Sequence, residues 1–165
     1  MDTKIHFSSD INGVNNNTKI YKLSVPVELI TPKMRVVYPV GNRYGQIQVK
    51  LEFSKIKENI KMAEFYNLVQ AIEQHYHKKF ERYIGKECLL KSQISQTRNF
   101  SPILVTKVPM INKKPLISIK NENESAFTIY DVKQNDYIAS KMYLDIIWYN
   151  NNSVTMKWKL KNIYY

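Results

Sequence analysis

Cysteine occurs once, as Cys88, so no disulfide can form within the chain and a reducing compartment is expected. Cys88 opens the apolar run Cys88-Leu89-Leu90, which reads as a buried structural thiol. Glycine is scarce, with four in 165 residues. Gly41 and Gly45 do not make a phosphate loop, because no Lys-Ser/Thr follows, and no dinucleotide fingerprint is present. Cys-x-x-Cys, HExxH and a Ser/His/Asp set are also missing, so neither catalytic residues, a cofactor nor a bound metal is expected. Glu28, Asp131, Asp136 and Asp145 are the carboxylates a metal-dependent nuclease would need, but Asp145 has a simpler partner in Lys157. No apolar run approaches membrane-spanning length, and the N-terminus lacks a signal-peptide core. The expectation is an intracellular, cytoplasmic protein without a membrane contact.

Arginine is scarce too, with 4 against 21 lysines. Lysine and arginine together outnumber acids 25 to 14, a formal net charge of +11. Such a surplus points to an anionic partner, most often nucleic acid. Few arginines suit backbone contact better than guanine readout, which favours the bidentate guanidinium. The Lys, Asn, Ile and Tyr bias, with 16 Asn, is also what AT-rich coding would give whatever the function. Twelve Tyr, six Phe and two Trp stand among the cations, the supply that stacking on bases requires.

Along the chain, residues 1–18 are polar and Asn-rich, expected as a flexible arm or a loosely paired edge, and 19–165 as one domain. Tyr21, Leu23, Val25, Val27 and Leu29 alternate with polar positions, and Pro26 argues for an edge or a bulge. Met34, Val36 and Tyr38 follow in the same manner, then the turn Gly41-Asn42-Arg43-Tyr44-Gly45, then alternation over 47–53. Phe65, Val69, Ile72, Tyr76, Phe80 and Tyr83 recur at helical spacing, which predicts one long helix over about 57–84, capped by Ser54 and closed by Gly85. His75 and His77 are two apart, on different helix faces, a poor spacing for zinc. Short strands are predicted over 89–94, 103–108, 116–120 and 127–132.

Residues 141–165 carry the clearest pattern. Met142, Leu144, Ile146 and Trp148 form one row, and Val154, Met156, Trp158 and Leu160 another. Joined by a three-residue loop, Asn150 to Asn152, the rows set Trp148 against Val154, Ile146 against Met156 and Leu144 against Trp158. The other face then carries Tyr143, Asp145, Lys157, Lys159 and Lys161, with Asp145 against Lys157 and Tyr143 against Lys159. Both tryptophans fall on the apolar rows and are expected in the core, with stacking on bases as the competing reading.

Strands, a mid-chain helix and more strands predict a mainly β protein, an elaborated OB-fold barrel with one long helix. The run Leu144-Asp145-Ile146-Ile147-Trp148-Tyr149, a polar turn, then Met156-Lys157-Trp158-Lys159-Leu160 resembles the closing hairpin of single-stranded-DNA-binding proteins of large DNA viruses and virus-like cytoplasmic linear plasmids. Phe65-Tyr66-Asn67-Leu68 is similar to theirs in position; the final loop lacks their glycine, and their acidic tail is absent. The resemblance implies a non-catalytic, largely sequence-independent protein that coats single-stranded DNA in replication and meets replication proteins. An RNA-binding OB protein and a basic virion or scaffold component are the alternatives, and self-association through strand edges stays open. The expected nucleic-acid contacts are Arg35, Arg43 and Tyr44, then Arg98, Phe100 and Lys107, then Tyr143, Lys157, Lys159 and Lys161. For each lysine the competing reading is a solvated surface position, and for each ring a half-buried strand residue.

Overall fold

A computed structural model describes residues 5–8, 18–43, 45–121 and 126–165. Alternation in five segments closes a barrel. These are β3 (Met34–Val36), β5 (Gln46–Glu52), β8 (Ile103–Val108), β12 (Tyr137–Asn150) and β13 (Ser153–Tyr164). Ile138 of β12 pairs with Met34, Val36 with Leu51, Leu51 with Leu104, and Trp158 with Leu144, all antiparallel. The circuit closes through one parallel contact, Lys107 of β8 beside Lys159 of β13. This is the mainly β, OB-type barrel expected, with its edges removed by closure. Met34, Val36, Ile47, Val49, Leu51, Leu104, Ile138, Met142, Leu144, Met156, Trp158 and Leu160 fill it, all fully buried.

Two strands extend the sheet outward. β2 (Thr18–Ile30) pairs with β12, and β1 (Ile5–Ser8) pairs with β2. The β2–β12 ladder breaks between Leu144/Val27 and Ile146/Lys22, so Pro26 stands in the interruption, the bulge that its missing N–H favours. Residues 9–17, the remainder of the expected arm, lie outside the described residues along with 1–4. β4 (Gly41–Arg43) folds back on β5.

The helix α1 runs Ile60–Ile84. It starts later than its periodicity suggests, because 54–58 form turns and Asn59, not Ser54, is the cap: its side chain accepts from the Met62 N–H at 3.2 Å. Ser54 donates instead to Glu52. Gly85 ends the helix at φ 74°, the left-handed conformation glycine adopts without strain. Met62, Phe65, Val69, Tyr76 and Phe80 are the buried stripe. Phe65 and Tyr66 meet Phe53, and Phe80 lies between Tyr21 and Tyr149, so α1 closes one end of the barrel.

Away from their contact, β8 and β13 separate, and residues 89–95 fill the gap. β6 (Leu89–Leu90) pairs with β13 and β7 (Ile94–Ser95) with β8. Between them the Lys91 N–H donates to the Val154 carbonyl, and the Gln93 carbonyl accepts from Val105. The helix holds this filler from beneath: the buried Glu73 carboxylate accepts from Ser92 Oγ at 2.6 Å and the Gln93 N–H at 3.0 Å. Burial raises the Glu73 pKa, and these donors, with the Trp158 indole facing it, oppose the rise.

Two predicted strands differ. β9 (Met110–Ile111) and β10 (Lys114–Pro115) form a small hairpin, leaving only Ser118–Lys120 (β11) of 116–120 beside β13. Residues 129–131 are a 3-10 turn rather than a strand. There the Asp131 carboxylate accepts from both the N–H and the hydroxyl of Thr128, at 2.7 and 2.9 Å. This local bonding outcompetes the β-prone composition around it.

Candidate nucleic-acid interface

The terminal hairpin is built differently from its expected register, and the difference creates the site. Asn150 pairs with Ser153, so the loop has two residues, Asn151 and Asn152, at φ 49° and 58°. Asparagine tolerates this left-handed pair, which matches the twist of the flanking strands. Trp148 therefore faces Thr155 and Ile147 faces Met156. A bulge then places both Asp145 and Ile146 against Lys157, after which Leu144 meets Trp158 and Tyr143 meets Lys159 as expected. The bulge turns the distal half over relative to the regular ladder. Trp158 is 0% exposed in the core, but Trp148, expected there, lies half-buried on the lysine face.

On that face two ammonium groups lie over the Trp148 ring, Lys157 at 4.6 Å and Lys107 at 5.2 Å from its centroid. Lys107 donates to Gln46 at 2.7 Å, and neither amine has a carboxylate partner among the described residues. Burial lowers the Lys157 pKa to about 8, with Lys107 and Lys91 adding repulsion. Lys107 is lowered as well, chiefly by burial. Half-buried cations without counter-charges are poised for an anion, which would relieve both penalties. Lys159 is partly satisfied by Asp145 at 2.9 Å, and so replaces Lys157 as that carboxylate's partner.

From Trp148 a polar stripe crosses the barrel. Lys157 and Lys159 point outward on β13, Lys159 adjoins Lys107 on β8, and Lys107 faces Gln48 on β5. Two residues on, Lys50 lies 5.1 Å from the Tyr38 ring. Cation-over-ring pairs thus stand on both sides of a path three strand spacings wide, about 14 Å at roughly 4.8 Å per strand. Tyr38, expected on one face with Met34 and Val36, is 51% exposed while they are buried, because the chain leaves the strand after Val36.

The other expected contacts scatter. Arg35 is committed to Glu52 at 2.6 Å, a bond that raises its pKa and lowers that of Glu52, and to Asn135 at 2.6 Å. Tyr44 and the side chain of Arg43 lie outside the described residues, although the backbone of 41–43 borders the stripe through β5. Arg98 and Phe100 are exposed at the other end of β5 and β8, where Phe100, 71% exposed, lines a separate hollow with Tyr66 and Lys55. Lys161 sits at a second bulge and turns to Glu28, which it shares with Lys141 at 3.0 and 3.1 Å. Tyr143 is half-buried below Lys159, 5.7 Å from its amine.

Of the ten expected contacts, Lys107 and Lys157 gather over the Trp148 ring, and Lys159 lines the same hollow. The geometry adds Trp148, Lys91, Lys50, Tyr38 and Gln46. Trp148 could be found only by recognising the bulge, and Lys91 only by recognising that 89–95 fill the gap between β8 and β13. The four carboxylates considered for a metal stand apart, tied to different partners: Glu28 to lysines, Asp131 to Thr128, Asp136 to Lys133 and Tyr165, and Asp145 to Lys159. His77, Glu81 and Cys88 do converge, but as a clasp at the helix end: His77 Nε2 meets the Cys88 carbonyl at 2.7 Å, and Glu81 accepts from the Cys88 N–H at 2.9 Å. Burial pushes the Cys88 thiol up, away from the thiolate. No helix among the described residues is long and apolar enough to cross a membrane.

No protein-family model and no curated protein matches the chain. Among solved structures, it is similar to the crystal structure of gp2.5, a single-stranded DNA binding protein encoded by bacteriophage T7. The TM-score is 0.55 at 9% identity, over 85% of this chain and 86% of that one. The likeness is one of fold and spans most of both chains.

Proposed function

We propose that this protein is a non-catalytic, largely sequence-independent single-stranded-DNA-binding protein acting in replication. The observation that carries the proposal is the Trp148 indole under two partly dehydrated ammonium groups that have no carboxylate partner among the described residues, in line with a lysine stripe. OB barrels bind oligonucleotides across this face, between the loops that join the first two and the last two barrel strands. Here those loops are 37–45 and Asn151-Asn152. The shared fold with a phage protein of that activity supports it.

The mechanism combines charge and stacking. Phosphates draw Lys107, Lys157 and Lys159 and release counterions, so affinity falls steeply with salt. A base stacked on Trp148 contributes about 1–3 kcal/mol, available only where bases are unpaired. Duplex DNA hides its base faces and presents phosphates alone. The shape of the strand, rather than its sequence, is therefore what the stripe selects.

The test is a fluorescence titration with single-stranded DNA, duplex DNA and single-stranded RNA at two salt concentrations. Tight, salt-sensitive binding of unpaired DNA is expected, weakened and with a shallower salt slope in a Lys157/Lys159/Lys161 triple alanine variant. RNA preferred over DNA of the same sequence would reassign the protein to RNA. No binding of unpaired oligonucleotides in dilute buffer would overturn the proposal in favour of a basic scaffold component. Replication partners, cytoplasmic localisation and self-association belong to the same proposal; co-purification and sedimentation test the first and last.

A further inference from the structure

Trp148 is a wall between two unlike cavities. On one side is a small apolar hollow of about 230 Å³, lined in part by Val108, Pro109 and Met110. On the other is a polar cavity of about 440 Å³, within the range of small-molecule sites. Lys157 borders both. The apolar side offers a base mainly a surface to rest on, with Gln46, Lys107 and Lys159 as its further polar lining. The polar side offers much more: hydroxyls of Thr18, Ser153 and Thr155, and the amides of Gln93 and Asn150.

Two polar atoms in this wall have no partner. Trp148 Nε1 and Asn150 Oδ1 are buried and form no hydrogen bond, although the Asn150 amide nitrogen is used, donating to Thr18 at 2.9 Å. An orphan donor and an orphan acceptor on one cavity wall are what the edge of a nucleobase satisfies, since every base edge carries both kinds of group. Lys91 and Lys157 stand beside this cavity at the distance where their charges repel, so a phosphate is accommodated with the base. A phosphate that drew Lys107 and Lys157 off the indole would uncover the ring for the base.

We infer that the polar cavity beside Trp148 holds one nucleobase of the bound strand by its hydrogen-bonding edge, so that binding discriminates between bases at this one position while the remaining stripe does not. The inference rests on the single-stranded-DNA proposal and sharpens it: a uniform coat protein would have one non-uniform subsite. Gln93 and Thr155 are its reading residues. Both are half-buried, and neither side chain is used elsewhere in the described fold.

The experiment compares wild type with Gln93→Leu and Thr155→Val, substitutions of similar shape that remove only hydrogen bonding. Each is titrated with oligo-dT, oligo-dC, oligo-dA and an abasic deoxyribose-phosphate oligomer of equal length, after thermal melts establish that the variants fold. The expected result is a loss of about threefold to tenfold on the base-containing oligomers, the effect of one neutral hydrogen bond. That loss should differ among the three bases and vanish on the abasic oligomer. Equal loss on the abasic oligomer would mean the cavity meets only backbone, and wild-type affinity on all four would mean it meets nothing. Either overturns the inference and leaves single-strand binding intact. Failure of the wild type to bind any of the oligomers overturns the parent proposal instead.

Discussion

The two tryptophans of the terminal hairpin are ten residues apart and lie on opposite sides of the sheet. Trp158 is wholly enclosed, paired with Leu144 and facing the buried Glu73 carboxylate. Trp148 lies under two lysines on the outer face. A regular ladder with a three-residue loop would have put both inside. One extra residue at Asp145–Ile146, set against a two-residue turn, separates them. A bulge of this kind breaks the ladder locally and exchanges the faces of the strand beyond it, so that Ile147 turns inward and Trp148 outward. It gives a closed barrel a half-buried ring on its outer face without sacrificing a core position.

The contrast can be broken at either ring. Trp158→Ala should cost about 3–5 kcal/mol of stability, the usual range for a fully buried tryptophan, read as a lowered denaturant midpoint. Trp148→Ala should shift that midpoint far less, while weakening oligo-dT binding by about 1–3 kcal/mol. If the two variants were destabilised equally, the outer position of Trp148 would be wrong. The lysines above the ring give a smaller effect. Lys157→Met should reduce the slope of log affinity against log salt by about 0.7. It should also remove a pH dependence. Because the polyanion favours the charged amine, wild-type affinity should fall as pH rises through about 8, where Lys157 loses its proton, whereas the variant should lose that part of the dependence and keep only what Lys107 contributes. Smallest of all, Lys161→Ala should change binding by less than either, since its amine is already held by Glu28; a larger loss would return it to the interface.

Much of the barrel was legible because its strands keep strict alternation, and the pairs Leu144–Trp158 and Tyr143–Lys159 follow from that alone. The distal half was not. Over 145–149 both faces carry large apolar residues, Ile146 and Trp148 against Ile147 and Tyr149, so either register satisfies the pattern. No glycine marks the bulge. Arg35 looked like a contact because its partner Glu52, 17 residues away, becomes a neighbour only when β3 pairs with β5. Lys91 was hidden for a related reason: nothing in Leu89–Ile94 announces that the segment splits between two strands. Local propensity misled at Thr128–Asp131, where a side chain bonding its own turn defeats a β-rich run.

The single parallel contact between β8 and β13 has a mechanical meaning. The barrel's last seam is fastened by direct pairing at one place only, with Lys107 on one bank and Lys159 on the other, and beyond it by an inserted patch that the helix grips through Glu73. A chain of phosphates bound across that seam, as proposed, would tie the two banks together. Ligand and fold would then share one suture, so the occupied protein resists opening where the empty one gives way first.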